Sequence, residues 1–226
     1  MARRRKSATP RNAIAVAVLA IVIVGLWFGV QRMRWTGAPP SAAAPVAADH
    51  VDPANQGRKV SVTGKLEIGK PAHDPQLGVG ADAAMLFRDV TMLQWREHCD
   101  GSACRYETAL SRQPIDSHKF RVAAGHENPP FPFADARFAA SEIRLGAFIV
   151  DPELVAASAA AVAYPVRAAA LPPNLAATFR EVNGVLLTGS DARPPVVGEV
   201  RVSFRIMPLG VVSLTGVQRE ARLSAN

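Results

Sequence analysis

Cysteine, acidic charge near the start and recognisable catalytic signatures are what this sequence has least of. There are two cysteines, Cys99 and Cys104, and they do not form Cys-x-x-Cys, which argues against a thioredoxin-like redox pair. His98 adjoins Cys99, but no second Cys/His pair exists to complete the four ligands of a structural zinc site. Gly78 and Gly80 are not followed by Gly-Lys-Ser/Thr, which removes a phosphate loop. Ser117 does not sit in a nucleophile elbow. No repeat of solenoid length is present. The first 34 residues contain no acid, and no apolar run of spanning length follows Val30.

What is there begins with the placement of charge. Arg3, Arg4, Arg5, Lys6, Arg11, Arg32 and Arg34 account for the formal net charge of +7, leaving the rest of the chain neutral. The basic character therefore belongs to one end and carries no indication of nucleic acid. Between these cations lies an uncharged apolar run, residues 13–30, which as a helix covers about 27 Å of a hydrocarbon core of roughly 30 Å. Arg11 and Arg32 can snorkel, and Trp27 and Trp35 suit an interfacial belt. A cleaved signal peptide would need a small-residue cleavage site directly after the run, and Arg32 and Arg34 intervene instead. The excess of cations before the run orients the N-terminus to the cytoplasm. The expected division is a basic tail at 1–12, a transmembrane helix at 13–33, an Ala/Pro-rich linker at 34–49 and a domain at 50–226. The Ala/Arg/Pro-rich composition suits a bacterium, which makes the membrane a bacterial inner membrane and the domain periplasmic.

The cysteines agree with that orientation. Cys99 and Cys104 enclose Asp-Gly-Ser-Ala, a turn sequence, and β-type residues flank them on both sides. A hairpin brings the sulfurs together, and outside the cytosol they oxidise, so a Cys99–Cys104 disulfide is expected.

Alternation marks further strands. Val60, Val62, Leu66 and Ile68 share one face of a strand at 59–68, and Val200, Val202, Phe204 and Ile206 one face of another at 199–207. Residues 211–217 follow a Pro-Leu-Gly turn, and Asn183-Gly184 marks a turn between 179–182 and 185–187. Alternation breaks at Met92-Leu93, where a bulge is expected. Asp151-Pro152-Glu153 opens a helix, with a capping acid and Pro at its first position, continuing through Ala-rich sequence to Tyr164-Pro165. A shorter helix is expected at 171–178, and 137–145 reads equally as strand or helix. The fold class is α+β, strand-dominated with a few short helices, behind a single N-terminal transmembrane helix.

The polar stretch 112–130 holds the candidate chemistry. Ser117, His126 and Asp116 could form a hydrolase triad, but no oxyanion hole is apparent, and Asp-Ser is common at turns and caps. The competing reading is a loop fixed by local hydrogen bonds and by Pro129-Pro130. His50, Asp52, His73 and Asp74 match no metal-site spacing and read as surface turn residues. No catalytic, cofactor-binding or metal-binding residue is assigned. A ligand-sensing domain would require a sizeable apolar cavity.

Several spaced stretches resemble the LUMA (transmembrane protein 43) family: Val-Asp-Pro-Ala-Asn-Gln-Gly-Arg-Lys-Val-Ser-Val-Thr-Gly at 51–64, 86–95 ending in Met-Leu-Gln-Trp, and Pro-Ile-Asp-Ser-His-Lys-Phe at 114–120. Gly-His-Glu-Asn-Pro-Pro at 125–130, Arg-Leu-Gly-Ala-Phe at 144–148 and Val-Gly-Glu-Val-Arg-Val-Ser-Phe at 197–204 complete the series. The resemblance places Asp116, Ser117, His126 and Asn128 in a family-motif loop. It implies one N-terminal anchor, a large lumenal or periplasmic domain and three later spanning helices, before which this chain stops. Animal members of that family resemble scaffolds that oligomerise in the endoplasmic reticulum and inner nuclear membrane and associate with lamins and emerin. No enzymatic role is implied. The expected function is a membrane-anchored scaffold acting through protein or lipid contacts. Its partners would be the bilayer, a second copy and other membrane or periplasmic proteins, without nucleic acid. The alternatives are a periplasmic hydrolase using Ser117, His126 and Asp116, and a ligand sensor.

Overall fold

The computed structural model describes residues 43–158 and 161–225. The strands in chain order are β1 (Ala44–Val46), β2 (Lys59–Glu67), β3 (Ala72–Asp74), β4 (Val79–Ala81), β5 (Ala83–Asp100), β6 (Ala103–Ser111), β7 (Ala136–Ala139) and β8 (Arg144–Leu145). They continue with β9 (Phe148–Val150), β10 (Val162–Tyr164), β11 (Arg180–Val182), β12 (Val185–Leu187), β13 (Val200–Pro208), β14 (Val211–Arg219) and β15 (Arg222–Ser224). Two short α-helices are described, α1 (Pro152–Ser158) and α2 (Pro173–Ala176).

One sheet closes on itself. β2 pairs antiparallel with β14, β14 with β15, β15 parallel with β9, β9 antiparallel with β8, and β8 returns to the end of β2. Closure leaves this small barrel little free edge. Its strands contribute Val60, Val62, Leu66, Leu145, Phe148, Val150, Leu214 and Leu223 to the core, all buried. The turn between β8 and β9 needs glycine: Gly146 has φ 61°, and a Cβ there would overlap the Ala48 backbone. Ala147 N–H donates to Ala48 O at 2.7 Å, pinning the incoming chain beside β2. β1, within the stretch read as a linker, pairs in parallel with Val60, Ser61 and Val62.

The second sheet is built on the long antiparallel pair β5 and β13. β12 and β10 line the outer side of β13, β11 pairs with β12, and β7 and β6 follow one another along the other side of β5. Leu154 and Val155 of α1 are buried. The helix touches both β14 of the barrel and β5 of the open sheet, joining the two layers into one core.

Several expectations require correction. The α+β class gives way to a β architecture, because the described helices are short and most of the core is supplied by strands. Among the described residues no helix is long and apolar enough to cross a membrane. The transmembrane helix expected at 13–33 lies outside the described residues, as does the tail at 1–12. The helix opening at Pro152 does not reach Tyr164, because Val162–Tyr164 pairs with Phe204, Arg205 and Ile206 of β13. The ambiguous 137–145 stretch is two strands in two different sheets, β7 on β5 and β8 on β2.

No bulge occurs at Met92-Leu93. Pairing of β5 with β6 runs without a slip from Met92 opposite Ser111 to Asp100 opposite Ala103. The apparent break arises because polar residues occupy the inward positions. Leu86, Arg88, Val90, Met92 and Gln94 are all buried, a strict period of two with Arg88 and Gln94 included.

Candidate functional site

Beyond Met92, where the pairing with β13 ends, β5 and β6 run on as a two-stranded ribbon. Such ribbons are marginal alone in water. The 112–130 loop supplies the missing contacts by wrapping around it. At the near end Gln94, 1% exposed, donates from Nε2 to Gln113 O at 3.0 Å and accepts at Oε1 from Ile115 N–H at 2.9 Å. Ser111 Oγ donates to Gln113 O at 2.8 Å.

Where β13 stops, a side chain continues the ladder. Leu93 N–H still donates to Glu199 O, and Gly198 N–H to Leu93 O, both at 2.9 Å. At the next outward-facing position Asn128 replaces the strand: its Oδ1 accepts from Trp95 N–H at 2.7 Å and its Nδ2 donates to Trp95 O at 3.1 Å. The same Nδ2 lies 3.2 Å from Ile115 O. Asn128 N–H donates in turn to Ser117 Oγ at 3.0 Å. Buried backbone polar groups must find partners, and one amide side chain here serves both groups of a strand residue.

The far side of the ribbon is closed by aromatic and charged contacts. The His126 ring stacks on Tyr106 with centroids 3.8 Å apart and meets Trp95 edge-on at 4.8 Å. Tyr106 Oη donates to Glu97 at 2.7 Å, the leading reason the Glu97 carboxyl sits below its ordinary range, with the Arg121 N–H at 2.6 Å adding to it. Loss of hydration and the hydrogen bond it donates to Glu97 raise the Tyr106 hydroxyl, with the Glu97 charge adding to them. Arg121 Nη1 reaches Ser102 O at 2.8 Å in the hairpin turn. Beside that turn Cys99 and Cys104, directly opposite in register, form the expected disulfide.

The sequence candidates are therefore brought near one another without forming a triad. Ser117 is buried and engaged with Asn128. Asp116 accepts from His118 N–H at 3.2 Å, capping the 3-10 turn Ser117–Lys119, and lies 3.3 Å from Lys119 Nζ. His126 Nδ1 is 3.1 Å from Val122 O. A relay would need the base within hydrogen-bond reach of the hydroxyl and oriented by the acid; each of the three is committed elsewhere. Glu97 clusters with Cys99 and Cys104, but sulfurs joined to each other supply no thiolate for a metal. His98 Nε2 lies 3.0 Å from Glu107.

Asp74 is not a surface turn residue. It is fully buried and accepts from Arg88 Nη1 at 2.8 Å, while its other oxygen accepts from Gln76 and Leu77 N–H groups at 2.9 and 3.3 Å. Arg88 Nε donates to Ala134 O at 2.9 Å, so the buried pair is well supplied with partners. On the opposite face of β5, Asp89 joins Arg112 and Arg205, the latter at 2.6 and 3.1 Å. Burial pushes the Asp89 carboxyl up, but the hydrogen bond and charge of Arg205, with Arg112, outweigh it and hold the carboxyl low. The signal available in the sequence was period: Arg88 and Gln94 fall on the apolar face of a strand, which marks a buried polar group that must be paired.

These features define a disulfide-stapled β domain whose motif residues fasten a long loop around a projecting hairpin. The transmembrane protein 43 family profile matches residues 92–225, so the chain belongs to the transmembrane protein 43 family. It is 30% identical over 125 residues to transmembrane protein 43 of Homo sapiens and of Pongo abelii, and 28% identical to that of Mus musculus. Each match covers 50% of this chain and 31% of the relative, less than a third of the relative's length. No solved structure matches the chain. The loop motifs at 114–120 and 125–130 lie inside the matched region, and the stretch at 51–64 lies before it.

Proposed function

We propose that this protein is a membrane-attached scaffold that presents its β domain on the non-cytoplasmic side of a bacterial inner membrane and acts through protein or lipid contacts. Family membership supports the membrane. The apolar run at 13–30 between clusters of cations supports the attachment and the orientation. The disulfide fits an oxidising compartment.

The observation that carries the scaffold reading is the free side of β6. This nine-residue strand pairs with β5 on one side, and among the described residues it has no ladder partner on the other. The Asn128 clasp and the disulfide fix the ribbon that bears it, and a rigid edge loses little freedom when another strand adds to it. Soluble proteins usually blunt such edges; here Arg105 and Glu107 provide charge and Leu110, 41% exposed, an apolar neighbour.

The test is site-specific photo-crosslinking of the full chain in its native membranes. A crosslinker at Arg105 or Thr108 on β6 should give discrete adducts, and one at Lys65 on β2 should give none. Equal yields from both strands, or none from β6, would remove the scaffold reading.

A further inference from the structure

The free edge of β6 has a definite phase. Leu93 N–H donates to Glu199 O and Trp95 N–H to Asn128 Oδ1, both on the side of β5 away from β6. In an antiparallel ladder, residues of a non-hydrogen-bonded pair turn their backbone groups away from each other. Leu110 and Thr108 stand directly opposite Leu93 and Trp95, so their N–H and C=O groups point to the open side. By alternation those of Tyr106 and Cys104 do the same. A strand added to this edge must bond to these residues.

The positions between them carry charge. Arg105 and Glu107 share one face of the strand and both are exposed. Among the described residues Arg105 has no acidic partner, and Glu107 meets only His98, through one oxygen at 3.0 Å. Each therefore has capacity for a partner of opposite sign.

A second β6 fits this edge in one register. Two copies laid antiparallel about a twofold axis can be centred on any residue of the strand with the outward backbone groups face to face. Centring on Arg105 or on Glu107 sets like charges directly opposite, which is destabilising. Centring on Cys104 or Thr108 leaves both charges opposite neutral residues. Centring on Tyr106 sets Arg105 opposite Glu107 of the second copy, and the converse, with Cys104 opposite Thr108. The charged residues then fall in non-hydrogen-bonded pairs, where facing side chains come closest.

We infer that the partner of this edge is a second copy of the chain, joined β6 to β6 antiparallel about Tyr106 through reciprocal Arg105–Glu107 pairs. Exposed ion pairs add little affinity, but opposite charges in line select the partner and the register. The contact is isologous and closes after two copies, so it does not propagate into a fibre. The inference rests on the reading of β6 as the contact edge of a membrane-attached scaffold and names what that edge meets.

The experiment is photo-crosslinking of two differently tagged forms of the full-length protein, co-expressed in native membranes, with the crosslinker at Thr108. An adduct carrying both tags, joined near Cys104 of the other copy, is expected. Arg105→Glu alone, or Glu107→Arg alone, sets like charges opposite and should cut its yield about tenfold. The two substitutions together in both chains should restore it, and so should one single variant mixed with the other. Adducts with other proteins only would overturn the inference and leave the scaffold reading standing, whereas no adduct at all would remove both. A two-tag adduct indifferent to the single substitutions, or not restored by the paired ones, would overturn the inferred register.

Discussion

Asn128 makes with Trp95 the pair of hydrogen bonds that a neighbouring strand would make, Trp95 N–H to Oδ1 at 2.7 Å and Nδ2 to Trp95 O at 3.1 Å. Replacing it by alanine strands both groups of a half-buried strand residue and releases Ile115 O. We expect Asn128→Ala to lower stability by about 1–3 kcal/mol and to speed hydrogen exchange at the Trp95 amide. Chemical denaturation and amide exchange measure the two effects. An unchanged Trp95 exchange rate would show that the loop is held by other contacts.

The pair Asp74 and Arg88 should behave as a buried unit. Arg88→Met leaves the Asp74 charge without its cation, an expected loss of about 3–5 kcal/mol. Adding Asp74→Asn to that variant removes the unpaired charge while keeping an oxygen for the Gln76 and Leu77 N–H groups. The double variant should therefore be more stable than Arg88→Met alone, as denaturant midpoints would register.

Asp89 gives the domain a defined acid sensitivity. Its folded-state pKa is depressed from 3.8 by Arg205 and Arg112. The stabilisation it provides is complete above that unfolded value and is lost as pH falls through the lower folded value. Asp89→Asn should be less stable than the parent at pH 7, with the gap closing as pH drops below about 4. Urea unfolding across pH 2–7 would follow it, and a gap independent of pH would contradict the linkage.

How much of this was legible beforehand depended on whether a residue's role was local. The strands at 59–67 and 200–208 follow from alternation between apolar and polar side chains, and the hairpin with its disulfide from a turn sequence between two cysteines. Arg88 and Gln94 misled because they stand at inward positions, making a regular strand look bulged. Asp74 looked like a turn residue beside Pro75, and its cation lies fourteen positions on, visible only once β3 packs near β5. Asn128 belonged to a recognised motif, yet its partner Trp95 sits on an edge that exists only because β13 ends where it does. The Ala-rich segment after α1 has high helix propensity, but β13 offers Val162–Tyr164 a ladder, and tertiary pairing prevails.

Gly146 tests the barrel closure. With φ 61° and the Ala48 backbone in the space a Cβ would take, Gly146→Ala should cost about 1–3 kcal/mol. It should also loosen the segment around Ala48, which limited proteolysis near residue 48 would detect. Wild-type stability would mean the turn between β8 and β9 can re-form without that contact.

The most direct measurement is thiol labelling of the full-length protein in intact cells with a maleimide that cannot cross the inner membrane. No labelling of Cys99 or Cys104 before reductant, and labelling of both after it, is expected for a stapled domain held outside the cytosol. Thiols that are free without reductant and react only once the cells are lysed would contradict both the compartment and the joined cysteines.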